Sequence, residues 1–483
     1  MSAIEVSGGA AGLSVGLDEL EESARRLRSL ALDLGEVAAS IGLAATDPRL
    51  ALAGLLAPVE YLAAEGALLG CIGPHGAAGA AADVTATALA TTTAVRTYRG
   101  AEEAVESLAD GIATQAGAWV GRTIAPVALG VGLAVAPVVP LVLAVPGARD
   151  AVVGVGLGLG EGIDQIVLDH PWIVPAAADG LDGLLLGLGQ GLPVLGLWLA
   201  WRSGRAGAVY PPRTQTEALG VVLAATRGVV LDESGRHATV RAREPQVGVR
   251  PRGIADLVAG DGPTSGRSRV RVTGIPQPDG GWAWVVDVPG TQTFDPRSGD
   301  NPWDMTSNVL LVAGRQTATM TAVVSALEDS RRRVGDTGPP RVMLTGHSQG
   351  GLVAAALAAD PRLRDRLGVT HVVTSGAPIA SLDVPPEVSV LSIEHTEDPV
   401  PALEGADNPD RASWVTVERS LADELGEDGR ATQAHDNGRY AETAQLVDAS
   451  DDPSITAWRA DAVPYLGDGP GATVTTDYDV ARR

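Results

Sequence analysis

The chain has 483 residues, of which 45 % are hydrophobic, 20 % charged and 3 % aromatic, and its formal net charge is −23. That length exceeds one ordinary core, so two or three domains are expected, and an acidic surface of this kind is repelled by phosphate backbones, which argues against nucleic-acid binding. A single cysteine, Cys71, excludes an intramolecular disulfide and a thiolate zinc site, leaving the role of a small buried apolar residue.

The first twenty residues carry no basic segment followed by an apolar core, so no cleaved signal peptide is expected. Leu17, Leu20, Ala24, Leu27, Leu30, Ala31 and Leu34 then recur at helical spacing with charges between them. Asp47-Pro48 marks a break, an apolar stretch runs from Leu50 to Leu69, Gly73-Pro74-His75-Gly76 reads as a turn, and a third helical stretch spans Ala77 to Trp119. Residues 1–122 therefore read as an all-α helical bundle.

Residues 123–210 have another texture. No charged residue occurs between Arg122 and Arg149, a length that can span a bilayer, although Pro126, Pro137, Pro140 and Pro146 interrupt it. Gly154 to Gly162 follow at alternate positions, and a second apolar stretch runs from Leu184 to Trp201. Residues 123–201 are expected either to contact a membrane or to form a buried, Gly-rich helical connector. The glycine run resembles a nucleotide-binding loop only superficially, since no strand precedes it.

From Tyr210-Pro211-Pro212 onward, residues 211–483 alternate strand-like and helix-like segments. Val240–Glu244, Arg269–Thr273, Trp282–Val288, Arg341–Thr345, His371–Thr374 and Val388–Ile393 read as strands; Asn301–Leu327, Leu352–Leu367 and Tyr440–Val447 read as helices. The pattern predicts a mostly parallel sheet with helices on both faces, with ligands bound beyond the C-terminal ends of the strands.

The chemistry centres on Gly346-His347-Ser348-Gln349-Gly350-Gly351, which follows one apolar strand and opens a helix. A nucleophilic serine projects from a sharp strand-to-helix turn, and small residues two before and two after it let that turn close. Such a serine needs a base and an orienting acid, in the chain order Ser, acid, His. Of the later histidines, His371 falls inside a strand, His395 at a strand end where the acid is expected, and His435 on a polar loop, so His435 is the expected base. Asp398, followed by two prolines at Pro399 and Pro401, is the expected acid, with Glu394 and Glu397 as competitors. The oxyanion donors expected are the N–H of Gln349 and, from the loop Pro289-Gly290-Thr291-Gln292, that of Thr291. The stretch Phe294 to Leu311, with Trp303, Met305, Val309 and Leu310, is a candidate lid or acyl-binding wall. No residue spacing suits a metal, and no cofactor is expected.

Two resemblances follow. Val288-Pro289-Gly290-Thr291, the Gly346–Gly350 elbow, Asp398-Pro399-Val400-Pro401, and His435 with Tyr440 resemble the class 3 lipase branch of the α/β hydrolases over roughly residues 269–447. The resemblance implies an α/β-hydrolase fold, a Ser348–Asp398–His435 triad with Thr291 at the oxyanion, and esterase or lipase activity with phospholipids among the candidate substrates, though few aromatic residues are present to line an acyl groove. The N-terminal region resembles the helical hairpins of type VII (ESX, WXG100-like) secretion substrates, with Tyr98-Arg99-Gly100-Ala101-Glu102 matching their Y-x-x-x-D/E export signal. That resemblance implies export or cell-surface association without a cleaved signal, and a secretion-machinery or WXG100-like partner; the alternative is a cytoplasmic enzyme.

Overall fold

The computed structural model describes residues 4–55, 57–73, 75–100, 178–228, 230–260, 266–295, 297–426, 429–467 and 472–483, with 114, 115, 118, 122 and 174. The chain divides into two compact units, Leu13–Leu108 and a second that unites Met1–Gly12 with Ala109–Arg483.

The first unit is helical. The helix Leu13–Ala45 is followed by Pro48–Gly54 and Pro58–Ile72, so the apolar stretch from Leu50 is broken by Pro58. After the turn at Gly73–Gly76, residues 77–100 are helical. They run antiparallel to the first helix: Arg99 pairs with Asp18 and Glu21, while Arg28 donates to Thr92 further along. Ala24, Ala31, Ala88 and Val95 are buried, small residues that allow close helix approach. Cys71 is exposed, not buried as expected: its helix, Pro58–Ile72, has no buried residue. Among the described residues, Val15–Leu50 is a helical stretch long and apolar enough to cross a membrane by length and composition.

The second unit is built on a ten-stranded sheet: β1 (Ile4–Gly8), β2 (Ala238–Ala242), β3 (Gln246–Gly248), β4 (Arg269–Pro276), β5 (Trp282–Val288), β6 (Val342–His347), β7 (Val369–Ser375), β8 (Ser389–His395), β9 (Trp414–Arg419) and β10 (Thr473–Arg482). Their order is β1-β9-β8-β7-β6-β5-β4-β10-β2, with β3 also on β10. The sheet is mixed, which corrects the expectation of a mostly parallel one. Strands β5 to β9 are parallel neighbours, whereas β4, β10, β2 and β1 pair antiparallel. Helices do cover both faces. Trp284, Val286, Leu344, Val372 and Val390 pack under the helices Ala318–Arg333 and Gln349–Ala359. The alternate residues Val285, Met343, Val373, Leu391 and Val417 pack under Ile254–Gly260, Asn437–Asp448 and Pro453–Asp461. This period-2 division follows from the pleat, and strands apolar on both faces are what a buried parallel sheet requires.

Four boundaries differ from the sequence reading. Residues 4–8 belong to the sheet rather than to the helical region: β1 pairs with β9 from Ile4↔Arg419 to Gly8↔Val415. Asn301–Leu327 is two helices, Met305–Val312 and Ala318–Arg333, separated at Gly314 and started by the Asp304 and Thr317 N-caps. Leu352–Leu367 likewise divides at Asp360-Pro361. Most of residues 123–201, including the glycine run, lie outside the described residues. The described part forms the helices Leu181–Gly191 and Pro193–Ala206, whose Leu185 and Leu199 pack on Ala218 and Val221 of the helix Gln215–Thr226, so this packing crosses the boundary expected at 210–211.

Candidate active site

Strand β6 ends at His347 and the helix Gln349–Ala359 begins one residue later. Ser348 occupies the turn with φ 56° and ψ −124°. A left-handed φ is uncommon for a residue with a Cβ. Among the described residues only Leu231 shares that distinction. The glycines around it have steric reasons. A Cβ at Gly346 would lie 2.3 Å from the carbonyl carbon of Gly350, one at Gly350 would lie 2.0 Å from the carbonyl oxygen of Val288, and one at Gly351 would meet the Ala377 Cβ at 2.6 Å. The turn closes only if these positions are bare. The Ser348 N–H is anchored on the Ser375 carbonyl of β7 at 2.9 Å.

Asp398 follows the end of β8. Its side chain has no exposed surface, and its Oδ2 stands 2.7 Å from His435 Nδ1. The same oxygen accepts from the Tyr440 hydroxyl at 2.7 Å, and Oδ1 accepts from the Val400 N–H at 2.9 Å. The carboxylate is thus fully engaged although buried, as a polar group in a dry site must be. His435 keeps 23 % side-chain exposure. The competitors of Asp398 for the acid are otherwise employed: Glu397 accepts from Ser420 and the Leu421 N–H, and Glu394 from Ser392 and Asn408. Burial pushes the Glu394 carboxyl up to about 7, the state of an acid that is not an ion-pair partner.

His371, His395 and His347 are engaged otherwise. His371 is buried in β7 against Trp458 and Tyr465. His395 is buried, stacks on Tyr440 at 3.8 Å, and bonds through Nδ1 to the Ala434 carbonyl at 2.7 Å and through Nε2 to Thr443 at 2.8 Å. It therefore grips the residue before His435. His347 lies 4.5 Å from the His435 ring; burial, reinforced by His435, pulls its pKa down to about 3, so it is a neutral wall. Sequence reasoning assigned no role to His347 or His395 here, and only their adjacency to Ser348 and to the acid loop signalled one.

Ser348, Asp398 and His435 thus converge at the C-terminal ends of β6 and β8. Among the described residues no hydrogen bond joins Ser348 to His435; such bonds are often long before a substrate tightens the site. The loop expected to supply the second oxyanion donor lies against the elbow. A Cβ at Gly290 would come within 3.5 Å of the Ser348 Cβ, so the Pro289–Gln292 loop runs directly over the serine. Among the described residues neither the Gln349 nor the Thr291 N–H has an acceptor. The Thr291 hydroxyl accepts from Asn308 at 3.0 Å, and the Gln349 side chain donates to the Asp304 carbonyl at 3.1 Å. N–H groups left without a partner are free to donate to a bound group.

Of the candidate lid, Trp303 is fully buried, while Phe294 is exposed. Tyr98 of the candidate export signal is partly exposed on its helix, and Glu102 lies outside the described residues. Among the described residues no cluster of His, Cys, Asp or Glu is arranged to hold a metal. Comparison with protein families, with curated proteins and with solved structures finds no match to this chain.

Proposed function

We propose that the second unit is an α/β hydrolase resembling class 3 lipases, acting as a serine carboxylic-ester hydrolase on an ester or lipid substrate without a cofactor. The observation that carries this reading is the buried Asp398 carboxylate 2.7 Å from His435 Nδ1, beside a serine held at φ 56° on a strand-to-helix turn. With Nδ1 engaged, Nε2 of His435 is the basic nitrogen. Ser348 Oγ attacks the ester carbonyl as its proton passes to His435 Nε2, and Asp398 stabilises the resulting imidazolium. The carbonyl oxygen becomes an anion held by the N–H groups of Gln349 and Thr291, at the N-terminus of the helix Gln349–Ala359. Collapse breaks the bond to the alcohol, which takes the proton from His435. Water, deprotonated by His435, then frees the acid from Ser348. The test is hydrolysis of p-nitrophenyl esters of increasing chain length by the purified chain. Turnover supports the reading, and a well-folded protein inert towards every ester contradicts it.

For the first unit we propose contact with a membrane or with a partner of the type VII secretion kind, and export or surface association. The long apolar helical stretch Val15–Leu50 supports this, as does the partly exposed Tyr98. Flotation of the full chain with liposomes tests the membrane version: protein that stays at the bottom of the gradient removes it.

A further inference from the structure

We propose that Arg482, the penultimate residue, is the positioning residue of both oxyanion donors, an inference that rests on the acyl-transfer reading of Ser348. Strand β10 lies on the far side of β4 from the nucleophile strand, yet its last turn of chain reaches the loop in front of the site: the Arg482 N–H donates to the Asp300 carbonyl at 2.6 Å. The Arg482 side chain has no exposed surface. Its guanidinium takes both oxygens of the equally buried Asp304 carboxylate, with the Ser307 hydroxyl at 2.9 Å and Glu233 Oε2 at 3.0 Å. A planar fork that meets a carboxylate in two places fixes orientation as well as distance.

Asp304 is the residue this fork holds, and both donors hang from it. Its backbone carbonyl accepts the Gln349 side chain at 3.1 Å, next to the N–H that faces the oxyanion. Its side chain caps the helix Met305–Val312 through the Ser307 N–H at 3.0 Å, and that helix carries Asn308, which donates to the Thr291 hydroxyl at 3.0 Å. The segment before the helix also fixes the backbone just beyond Thr291: the Gln292 and Thr293 N–H groups donate to the Trp303 carbonyl at 2.8 and 3.2 Å. One buried arginine thus sets one residue, and that residue sets the two loops from which the anion-stabilising N–H groups project. A buried, multiply bonded ion pair is a poor source of net stability compared with an apolar replacement but a strong source of a single geometry, which is what an oxyanion hole demands.

Two variants test this with p-nitrophenyl butyrate. The first, Arg482→Met with Asp304→Asn and Glu233→Gln, keeps the volume and leaves no unpaired buried charge. The second, Gln349→Met, keeps every ion pair and the Gln349 N–H, and removes only the tether to the Asp304 carbonyl. The expected result is a kcat lower by about 100-fold in the first and about 10-fold in the second, with KM within about two-fold and the second variant's thermal stability close to wild type. Wild-type kcat in either folded variant overturns the inference, and Gln349→Met alone decides if the first does not fold. A wild-type protein that turns over no ester defeats the acyl-transfer reading as well; an active wild type with unaffected variants defeats this inference alone.

Discussion

The Tyr440 hydroxyl donates to the same oxygen of Asp398, Oδ2, that faces His435 Nδ1, and both contacts are 2.7 Å. Tyr440 is fully buried and stacked on His395, and its phenol is held neutral by burial first and then by the Asp398 charge. One carboxylate oxygen therefore meets both His435 and a second, buried donor that can only orient it. Removing the second leaves the carboxylate oriented only by the Val400 N–H and His435. Tyr440→Phe is expected to lower kcat about 10-fold, with KM little changed, and to destabilise the fold by about 1–3 kcal/mol. Steady-state kinetics and denaturant unfolding check both numbers.

Asp398→Asn tests the orientation itself. An amide nitrogen facing His435 Nδ1 would favour the opposite tautomer, with the proton on Nε2, where the serine proton must go. The expected loss in kcat is about 10⁴-fold, with the fold retained. A loss below about 10-fold would show that Asp398 does not serve His435.

Gly350→Ala addresses the elbow. The new Cβ would stand 2.0 Å from the Val288 carbonyl oxygen, which is backbone of the neighbouring strand and cannot swing aside. The variant is expected to lose activity and about 1–3 kcal/mol of stability, whereas Gly338→Ala, in a surface turn where the nearest atom is at 3.6 Å, should change neither. Comparing the two by thermal unfolding and ester turnover separates elbow closure from loss of a glycine as such.

Glu394 gives the stability a pH dependence. Burial raises its folded pKa to about 7 from an ordinary 4.5. Between those values the unfolded chain has released a proton that the folded chain keeps, so stability falls as pH rises from about 4.5 to 7, and the deficit is fully present above about 7. Glu394→Gln, which mimics the protonated form, should be near neutral at pH 4.5 and stabilising by about 3 kcal/mol at pH 8. Equal effects at both pH values would show that Glu394 is ionised throughout.

Much of this site was legible because its signals are local. The apolar run into Gly346, the serine, and the apolar helix after it lie within twenty residues, and β5 was read with its observed bounds, Trp282–Val288. Asp398 and His435 were found by chain order and loop chemistry and lie 2.7 Å apart. What escaped was non-local. Ile4–Gly8 is a five-residue strand whose partner begins more than four hundred residues later, and no periodicity within five residues announces that. Strand β10 does alternate, with Val474, Thr476, Tyr478 and Val480 facing one way, but its Asp477 and Asp479 read as solvent-facing until Arg271 and Arg269 of β4 are set beside them. Arg482 was invisible for the same reason: an arginine next to the chain end looks like a solvated tail, and only the fold brings Asp304, Glu233 and Ser307 around it.

The most direct measurement is labelling of the purified full chain with a fluorescent fluorophosphonate, wild type beside Ser348→Ala and His435→Ala. An activated serine predicts strong labelling of the wild type, none in Ser348→Ala, and labelling slowed by at least about 100-fold in His435→Ala. Wild-type protein that stays unlabelled while folded, or label that persists in Ser348→Ala, would contradict Ser348 as the nucleophile.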